Sequence, residues 1–469
     1  MRAPVLPIVA ACVLASAVVS AALAVTAAPP RAEATRISWE DAAPLWARLE
    51  RHGITQAAFP SYVARTHQDN VRRVREGDLD HLVFYALQST HFTKRPPIEP
   101  ALSAKALVDG LSAATRDAFL KSRADVGPPI PPAVRERVSA LLRTLDSRAR
   151  DSRLTYFQSL VHATFPDRRT REAGVLGEYL RAMRFIYQKE FVAQGAGADA
   201  VAELYRTRGL STDTAVEAGY VVYNGLGIVR ALHPERRIRR VLIVGPGLDL
   251  APRTGLLEAG PPESYQPWAV IDALLALGLS RPDDLQVVGA DINSRVVQHL
   301  AGSRAAPPVL TLVSEIGESD TITLSAEYRD YFAQLGGAIG TVSPAPTQNR
   351  AASGHLRKTV HVGAKAASAL TAATLDIVTE RLDEPGFDLI IATNILPYFD
   401  DVQLMLATGN ISRMLAPGGV FLHNEARPVL GDITEALGLR FEQSRHVVIA
   451  TVRGAAAPLF DSVWLHRKK

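Results

Sequence analysis

The chain has 469 residues, 47% of them hydrophobic, and 52 basic against 48 acidic side chains leave a net charge of +4. Such a composition supplies core for two or three domains and excludes global disorder, and so diffuse a charge excess indicates no nucleic-acid partner. Cys12 is the sole cysteine, which excludes internal disulfides, cysteine-based zinc sites, iron–sulfur clusters and a cysteine nucleophile in the body of the chain.

Arg2 is followed by an uncharged run from Ala3 to Pro30, and Ala32-Glu33-Ala34 offers the small residues of a cleavage site. Residues 1–34 therefore read as a signal peptide or, since the run is long enough to span a bilayer, as a membrane anchor. On this reading the protein is exported or membrane-anchored, and similar positive charge on both flanks leaves its orientation open.

Residues 35–205 read as a mostly α-helical domain. Val134, Val138, Leu141, Leu142 and Leu145 follow a 3.6-residue period, while Pro96-Pro97 and Pro128 to Pro132 break the helices around them. The small residues from Gln194 to Ala200 form a hinge. Thr214 and Glu217 have the spacing of a capping box, and Val216, Tyr220, Tyr223 and Gly227 share the face of the helix that follows, up to His233-Pro234. His81 and His91, with Asp78 and Asp80 nearby, match no zinc spacing and read as scattered side chains.

From there the pattern changes. The basic run at Arg236, Arg237, Arg239 and Arg240 enters the apolar run Arg240–Val244, and Leu285–Ala290, Phe387–Ala392 and Gly419–Leu422 are further runs of strand length. Helical stretches at Trp268–Leu277 and Val402–Met414 lie between them. Continuous apolar strands alternating with helices predict a Rossmann-like α/β fold with a mainly parallel sheet. His446–Val452 and Ser462–Leu465 predict a C-terminal antiparallel hairpin.

Four places carry candidate chemistry. Gly245-Pro246-Gly247-Leu248-Asp249 turns sharply after the first strand, where nucleosides bind in such sheets, and Leu250 stands where a dinucleotide fingerprint has its third glycine. Asp291 ends the next strand and reads either as a ligand of ribose hydroxyls or as a helix cap. The long gap between Gly247 and Asp291 fits an insertion around Gly260-Pro261-Pro262. Asn394 and Tyr398 follow the third strand and read either as groups that hold an acceptor or as a cap and its packing partner. Leu415-Ala416-Pro417-Gly418-Gly419 is a turn before the fourth strand, and Glu425 just after it is a candidate base or a structural carboxylate.

The order of these elements resembles the class I S-adenosylmethionine (SAM)-dependent methyltransferases, from about Arg239 to the C-terminus. Within that class, Asp388 to Phe399 together with Leu415 to Glu425 is most similar to the chemotaxis-receptor (glutamate) methyltransferases, although Thr393 stands where those enzymes carry arginine. Glu327 to Phe332 is loosely similar to their mid-domain helix. The resemblance implies SAM as cofactor, held by Gly245, Gly247, Asp249, Asp291 and, against the adenine, Asp376. It implies catalytic positioning by Asn394 and Tyr398, no metal, and a protein or small-molecule methyl acceptor. Residues 206–469 would form this domain, with the face bearing Tyr220 and Tyr223 closing over the pocket. Two other classes stay open: a non-catalytic exported relative of the fold, and a nicotinamide-dependent oxidoreductase, against which Leu250 and the terminal hairpin count.

Overall fold

Alternation along the central strands decides the architecture. In the strand Arg240–Val244, Val241 and Ile243 belong to one hydrophobic cluster and Leu242 and Val244 to another, and none of the four is more than 3% exposed. A strand covered on both faces is the condition for a parallel sheet.

The computed structural model describes residues 33–121, 128–147, 152–193, 198–250, 261–345, 354–383 and 386–469. Its strands, in chain order, are β1 (Ala34–Arg36), β2 (Arg240–Val244), β3 (Gln286–Asp291), β4 (Val309–Gly317), β5 (Ile322–Leu324), β6 (Gly340–Ser343), β7 (His355–Val362), β8 (Leu370–Thr374), β9 (Glu380–Leu382), β10 (Phe387–Ala392), β11 (Leu415–His423), β12 (Leu439–Val452) and β13 (Leu459–Lys468). The main sheet has the order β5-β12-β13-β11-β10-β2-β3-β8. From β11 to β8 the pairs are parallel, with Leu389 opposite Val241 and Val241 opposite Val287. β13 runs antiparallel to β11, and β12 to β13.

The mainly parallel sheet and its closing hairpin follow the sequence expectation, though β12 and β13 run well beyond the short segments predicted. Strand order reverses between β2 and β10: one half of the sheet continues through β3 to β8, the other through β11. Crevices at such a switch point, outside the carboxyl ends of the strands, are where open α/β sheets bind ligands.

The helices are α1 (Trp46–Arg51), α2 (Phe59–Gln88), α3 (Pro100–Asp109), α4 (Ala113–Lys121), α5 (Pro132–Asp146), α6 (Ser152–Thr164), α7 (Arg171–Tyr187), α8 (Ala198–Thr207), α9 (Val216–Leu232), α10 (Gln266–Ala276), α11 (Ser294–Ser303), α12 (Ala326–Gln334), α13 (Ala364–Ala369), α14 (Asp401–Met414) and α15 (Pro428–Ala436). Four of the five residues predicted to share a face in α5 are buried, Leu142 being the half-exposed exception. Gln188–Ala193 closes α7 with a π-turn. The hinge predicted over Gln194–Ala200 lies outside the described residues up to 197, and α8 has begun by Ala198.

The helical stretch and the sheet share their cores. One cluster joins Leu82 of α2 and Val138 of α5 to Val241 and Leu389, and the other joins Trp39, Leu49 and Phe59 to Leu242, Ile390 and Phe421 on the opposite face. β1 pairs antiparallel with β9, so residues 34–36 are tied to the far end of the chain. Residues 32–469 form one compact unit. The leader expected over residues 1–34 lies outside the described residues up to 32, and among the described residues no helix is long and apolar enough to cross a membrane.

An insertion not foreseen in the sequence separates β3 and α11 from β8. Its strands β4, β7 and β6 form a separate antiparallel sheet, and α12 packs beside them. The insertion expected around Gly260 falls on residues 251–260, outside those described, with Pro261 and Pro262 following in irregular chain. The capping box at Thr214 does not form: α9 begins after Ala215, with no side-chain cap, and Glu217 is buried, where it accepts a 2.8 Å hydrogen bond from the Tyr328 hydroxyl. Tyr220 packs 5.2 Å from Tyr328 and 5.1 Å from Tyr331, so this tyrosine face meets α12 and closes no pocket.

Arg137 anchors the helical layer. It is fully buried and donates to the carbonyls of Ala86 (2.8 Å), Arg95 (2.7 Å), Pro96 (2.9 Å) and Ser89, with its guanidinium 5.4 Å from the Phe92 ring. These carbonyls cap the end of α2 and the proline turn behind it. Replacing Arg137 by Met strands several buried acceptors at once, so Arg137→Met should lower unfolding free energy by about 3 kcal/mol or more in urea titration.

Candidate functional site

At the switch point the chain leaves β2 through Gly245 and Gly247, both with positive φ (67° and 75°). A side chain at Gly247 would collide with the Thr212 carbonyl and the Thr214 hydroxyl. Glycine is required there because another segment, residues 209–215, is laid directly across the loop. Leu248 N–H donates to the Thr212 carbonyl (2.8 Å), and the Thr212 hydroxyl donates back to the Leu248 carbonyl (2.9 Å).

Asp291, at the end of β3, is buried. Its Oδ1 accepts the Asn293 N–H at 2.8 Å, and the Gly247 N–H also donates to the carboxylate. The cap of α11 is Asn293, which accepts from Arg295 N–H, so Asp291 does not serve as a helix cap. Burial, with Asp78 nearby, pushes its pKa up to about 7 against those two hydrogen bonds.

Asp376 follows β8. Its carboxylate receives the Asn70 amide (3.1 and 3.2 Å), the Thr379 hydroxyl (2.8 Å) and the Val378 N–H (3.1 Å), with His67 Nδ1 at 3.1 Å. That hydrogen bond, with the charge of Asp376, raises the His67 pKa above its usual value. Asp376 thus pins α2 over the edge of the sheet while lining the cavity there. Asp249 is placed differently: its N–H donates to the Glu263 carbonyl at 2.9 Å, and it does not line that cavity.

Asn394 leaves β10 with φ 62°, the only positive φ outside glycine among the described residues. Asparagine tolerates this left-handed conformation. Asn424 braces it, accepting from Asn394 N–H (2.9 Å) and donating to its side-chain oxygen (2.6 Å). The cap of the following helix α14 is Asp400, in a capping box with Gln403, so Asn394 does not serve as that cap. Tyr398 is buried, its ring edge-on to Tyr205 at 5.3 Å. Thr393 accepts a 2.6 Å hydrogen bond from Gln266. Glu425 lies 3.1 Å from Arg427 Nε, whose guanidinium also donates to the carbonyls of Phe399 and Leu396 at 2.8 Å.

Gly245, Gly247 and Asp291 floor a cavity that Asp376, Asn394 and Tyr398 also line, with Asn70 and Val74 of α2 over it. Beside it lies a wider cleft between the helical layer and the sheet edge, walled by Phe84, Phe185, Tyr205 and Pro428. Ser211, Asp213, Asn394 and Tyr398 line both spaces. Gly245, Gly247, Asp291, Asp376, Asn394 and Tyr398 are therefore brought together, and Asp249 is not among them.

Sequence reasoning missed the roof and the connecting arm. Asn70 and Val74 sit on the polar-looking α2, and within the arm only Thr214 carries a signal, the capping-box spacing, which points to a helix start. Behind the arm lies His81, fully enclosed, its Nε2 3.2 Å from Ser211 Oγ and 3.9 Å from Asp213 Oδ1. Burial opposes its charge, but the facing carboxylate of Asp213, with the charges of Asp78 and Asp249, raises its pKa. Among the described residues no three His, Cys, Asp or Glu side chains converge as a metal site.

No family profile matches the sequence, and no curated protein matches it. Solved structures that align with the fold include SAM-dependent methyltransferases. The N-methyltransferase NodS from Bradyrhizobium japonicum, in complex with S-adenosylhomocysteine (SAH), is 14% identical over 52% of this chain and 85% of its own, with a TM-score of 0.27. Magnesium protoporphyrin IX methyltransferase from Synechocystis, with bound SAM, is 8% identical over 60% and 94% (TM-score 0.28). The CurJ carbon methyltransferase is 13% identical over 91% and 98% (TM-score 0.29). Likeness of this degree assigns no chemistry to the chain.

The raised pKa of Asp291 carries a sign. An ordinary aspartate titrates near 3.8 and this one near 7, so between those values the folded state binds more protons and stability falls as pH rises. Asp291→Asn should therefore raise the melting temperature clearly more at pH 8 than at pH 5. Thermal melts of both proteins at the two pH values check this.

Proposed function

We propose that the chain transfers the methyl group of SAM to an acceptor seated in the wide cleft. The observation that carries this reading is the pair of adjoining spaces at the switch point: a cavity over Gly245, Gly247 and Asp291 that shares four lining residues with a larger cleft. Gly245 and Gly247 let the backbone approach a ligand closely, and above its pKa Asp291 presents carboxylate oxygens to ribose hydroxyls. In this reading Asp376 lies against the adenine and, through His67 and Asn70, holds α2 over the cavity.

When bound, SAM supplies a methyl group already activated on a sulfonium. The protein's task is then alignment, which contributes rate by holding the reactants in line. Asn394, locked by Asn424, and Tyr398, packed on Tyr205, stand at the opening between the spaces and position the acceptor. The further likeness to chemotaxis-receptor methyltransferases concerns Asp388 to Phe399 and Leu415 to Glu425. Because Thr393 is committed to Gln266 and no arginine takes its place, a glutamate side chain is not the acceptor favoured here. A nicotinamide site is disfavoured because Leu250, in place of the third glycine, is fully buried core. If residues 1–34 anchor the chain, the compact unit faces the compartment in which SAM is made.

Calorimetric titration of the folded protein should show saturable binding of SAM and SAH and none of NAD. Asp291→Ala should weaken SAM binding by about tenfold or more, since charge-assisted hydrogen bonds to the ribose are lost. Binding of NAD in place of SAM would overturn the assignment.

A further inference from the structure

Residues 425–428, which wall the wide cleft, also line another pocket, between α15 and the strands β11, β13 and β12. We propose that this pocket is a binding site for a small aromatic carboxylate, whose oxygen accepts the Nε2–H of His466 while its ring lies against Phe441 and Trp464.

The strands build the wall. On β13, Val463 and Leu465 are fully buried core, and Trp464 and His466 alternate with them onto the other face. Phe441 stands opposite His466 in the β12 register, its ring 5.7 Å from the imidazole and 5.9 Å from the Trp464 ring. Phe441 is 49% exposed, and Leu430 and Leu439 line the same pocket, so apolar surface is left open for a flat ring.

A relay of hydrogen bonds fixes the His466 proton. The Glu425 N–H donates to His423 Nδ1 at 3.2 Å, so in a neutral His423 ring the proton sits on Nε2. That nitrogen lies 3.1 Å from His466 Nδ1, with the two rings stacked at 5.1 Å. His423 therefore donates, His466 Nδ1 accepts, and the proton of His466 is left on its own Nε2. Burial keeps both rings neutral, holding His423 well below the usual histidine range and bringing His466 down to about 4. His466 is 4% exposed, and its Nε2 has no partner among the described residues; the buried indole N–H of Trp464 has none either. A donor held in one direction and unpaired in such surroundings is costly until an acceptor meets it. The charges around the pocket decide the sign of that acceptor. Arg440 and Lys469 are exposed beside Glu435, while Glu425 and Arg427 are bound to each other. Arg440 shares the single carboxylate of Glu442 with Arg467. The surplus is positive, and it suits an anion.

Nuclear magnetic resonance of the full chain tests this with 1-naphthoate as probe, read at the indole N–H of Trp464 and assigned by its loss in Trp464→Phe. Titration should shift that signal saturably, and 1-naphthalenemethanol, with the same ring and no charge, should bind about tenfold or more weaker. His466→Phe keeps a ring and removes the donor, and it should weaken 1-naphthoate by about tenfold while thermal melting shows a folded protein. An unmoved Trp464 signal, equal binding of the two probes, or undiminished binding by folded His466→Phe would overturn the site. The comparison of the two probes needs no variant, so it decides the matter even where His466→Phe does not fold.

Discussion

Two reciprocal hydrogen bonds between Thr212 and Leu248 hold the functional site together, because they lay a segment of the helical layer across the glycine loop of the sheet. Each is an ordinary hydrogen bond worth about 1 kcal/mol, but both are shielded from water, where leaving the groups unpaired costs more than pairing them gains. The same segment crosses α2 where Gly77 leaves room for the Leu210 carbonyl. Arg73, one turn earlier, donates to the carbonyls of Arg208 (2.9 Å), Tyr205 (3.1 Å) and Tyr398 (3.0 Å). One buried guanidinium thus fixes the end of α8, the start of the arm and the loop that bears Tyr398. With Asp376 gripping His67 and Asn70 at the far side, α2 is fastened at both ends of the cavity it roofs.

This arrangement concentrates carboxylates beneath the cavity, and the structure offsets their burial with specific partners. Asp78 accepts from the Tyr156 hydroxyl and from Asn293 (3.1 Å), and the Arg295 guanidinium stacks 3.4 Å from the Tyr156 ring. Asp291 has two backbone N–H donors but no cation in contact, which is why burial wins and its pKa rises. Glu263, accepting from Thr311 N–H at 2.9 and 3.0 Å, is likewise pushed up, to about 8, chiefly by burial. Buried acids with incomplete compensation are costly to the fold. Asp291 lines the cavity and Asp78 is bonded to Asn293, which also lines it, a placement that makes physical sense where the ligand is cationic, as a sulfonium cofactor is, because the ligand then supplies the missing counter-charge.

The fold was legible because central strands obey a local rule. Arg240–Val244 and Phe387–Ala392 are apolar on both faces, and only burial between two layers of helices tolerates that. The insertion carrying β4, β6 and β7 was not legible. Its strands alternate weakly, with His355, Arg357 and Lys358 among their residues, and they pair with one another away from the main sheet. The helical stretch was recognised by its periodicity, but its role was hidden. Asn70, Arg73 and Gly77 look like the solvated side of a long helix until the partner that covers them is known.

The site divides along the same line. Gly245, Gly247, Asp291 and Asn394 stand within three residues of strand ends, so a parallel sheet delivers them to one edge whatever the rest of the chain does. Asp213 and His81 depend on the packing of segments far apart in sequence. Ser211-Thr212-Asp213-Thr214 ahead of an apolar helix has the composition of a cap, since short polar side chains satisfy helix ends and loop carbonyls with the same groups. Local chemistry could not separate the two uses. The choice was made by Gly247, which leaves the space that the Thr212 carbonyl fills, so that the polar run is drawn off the helix end and onto the loop where the two cavities meet.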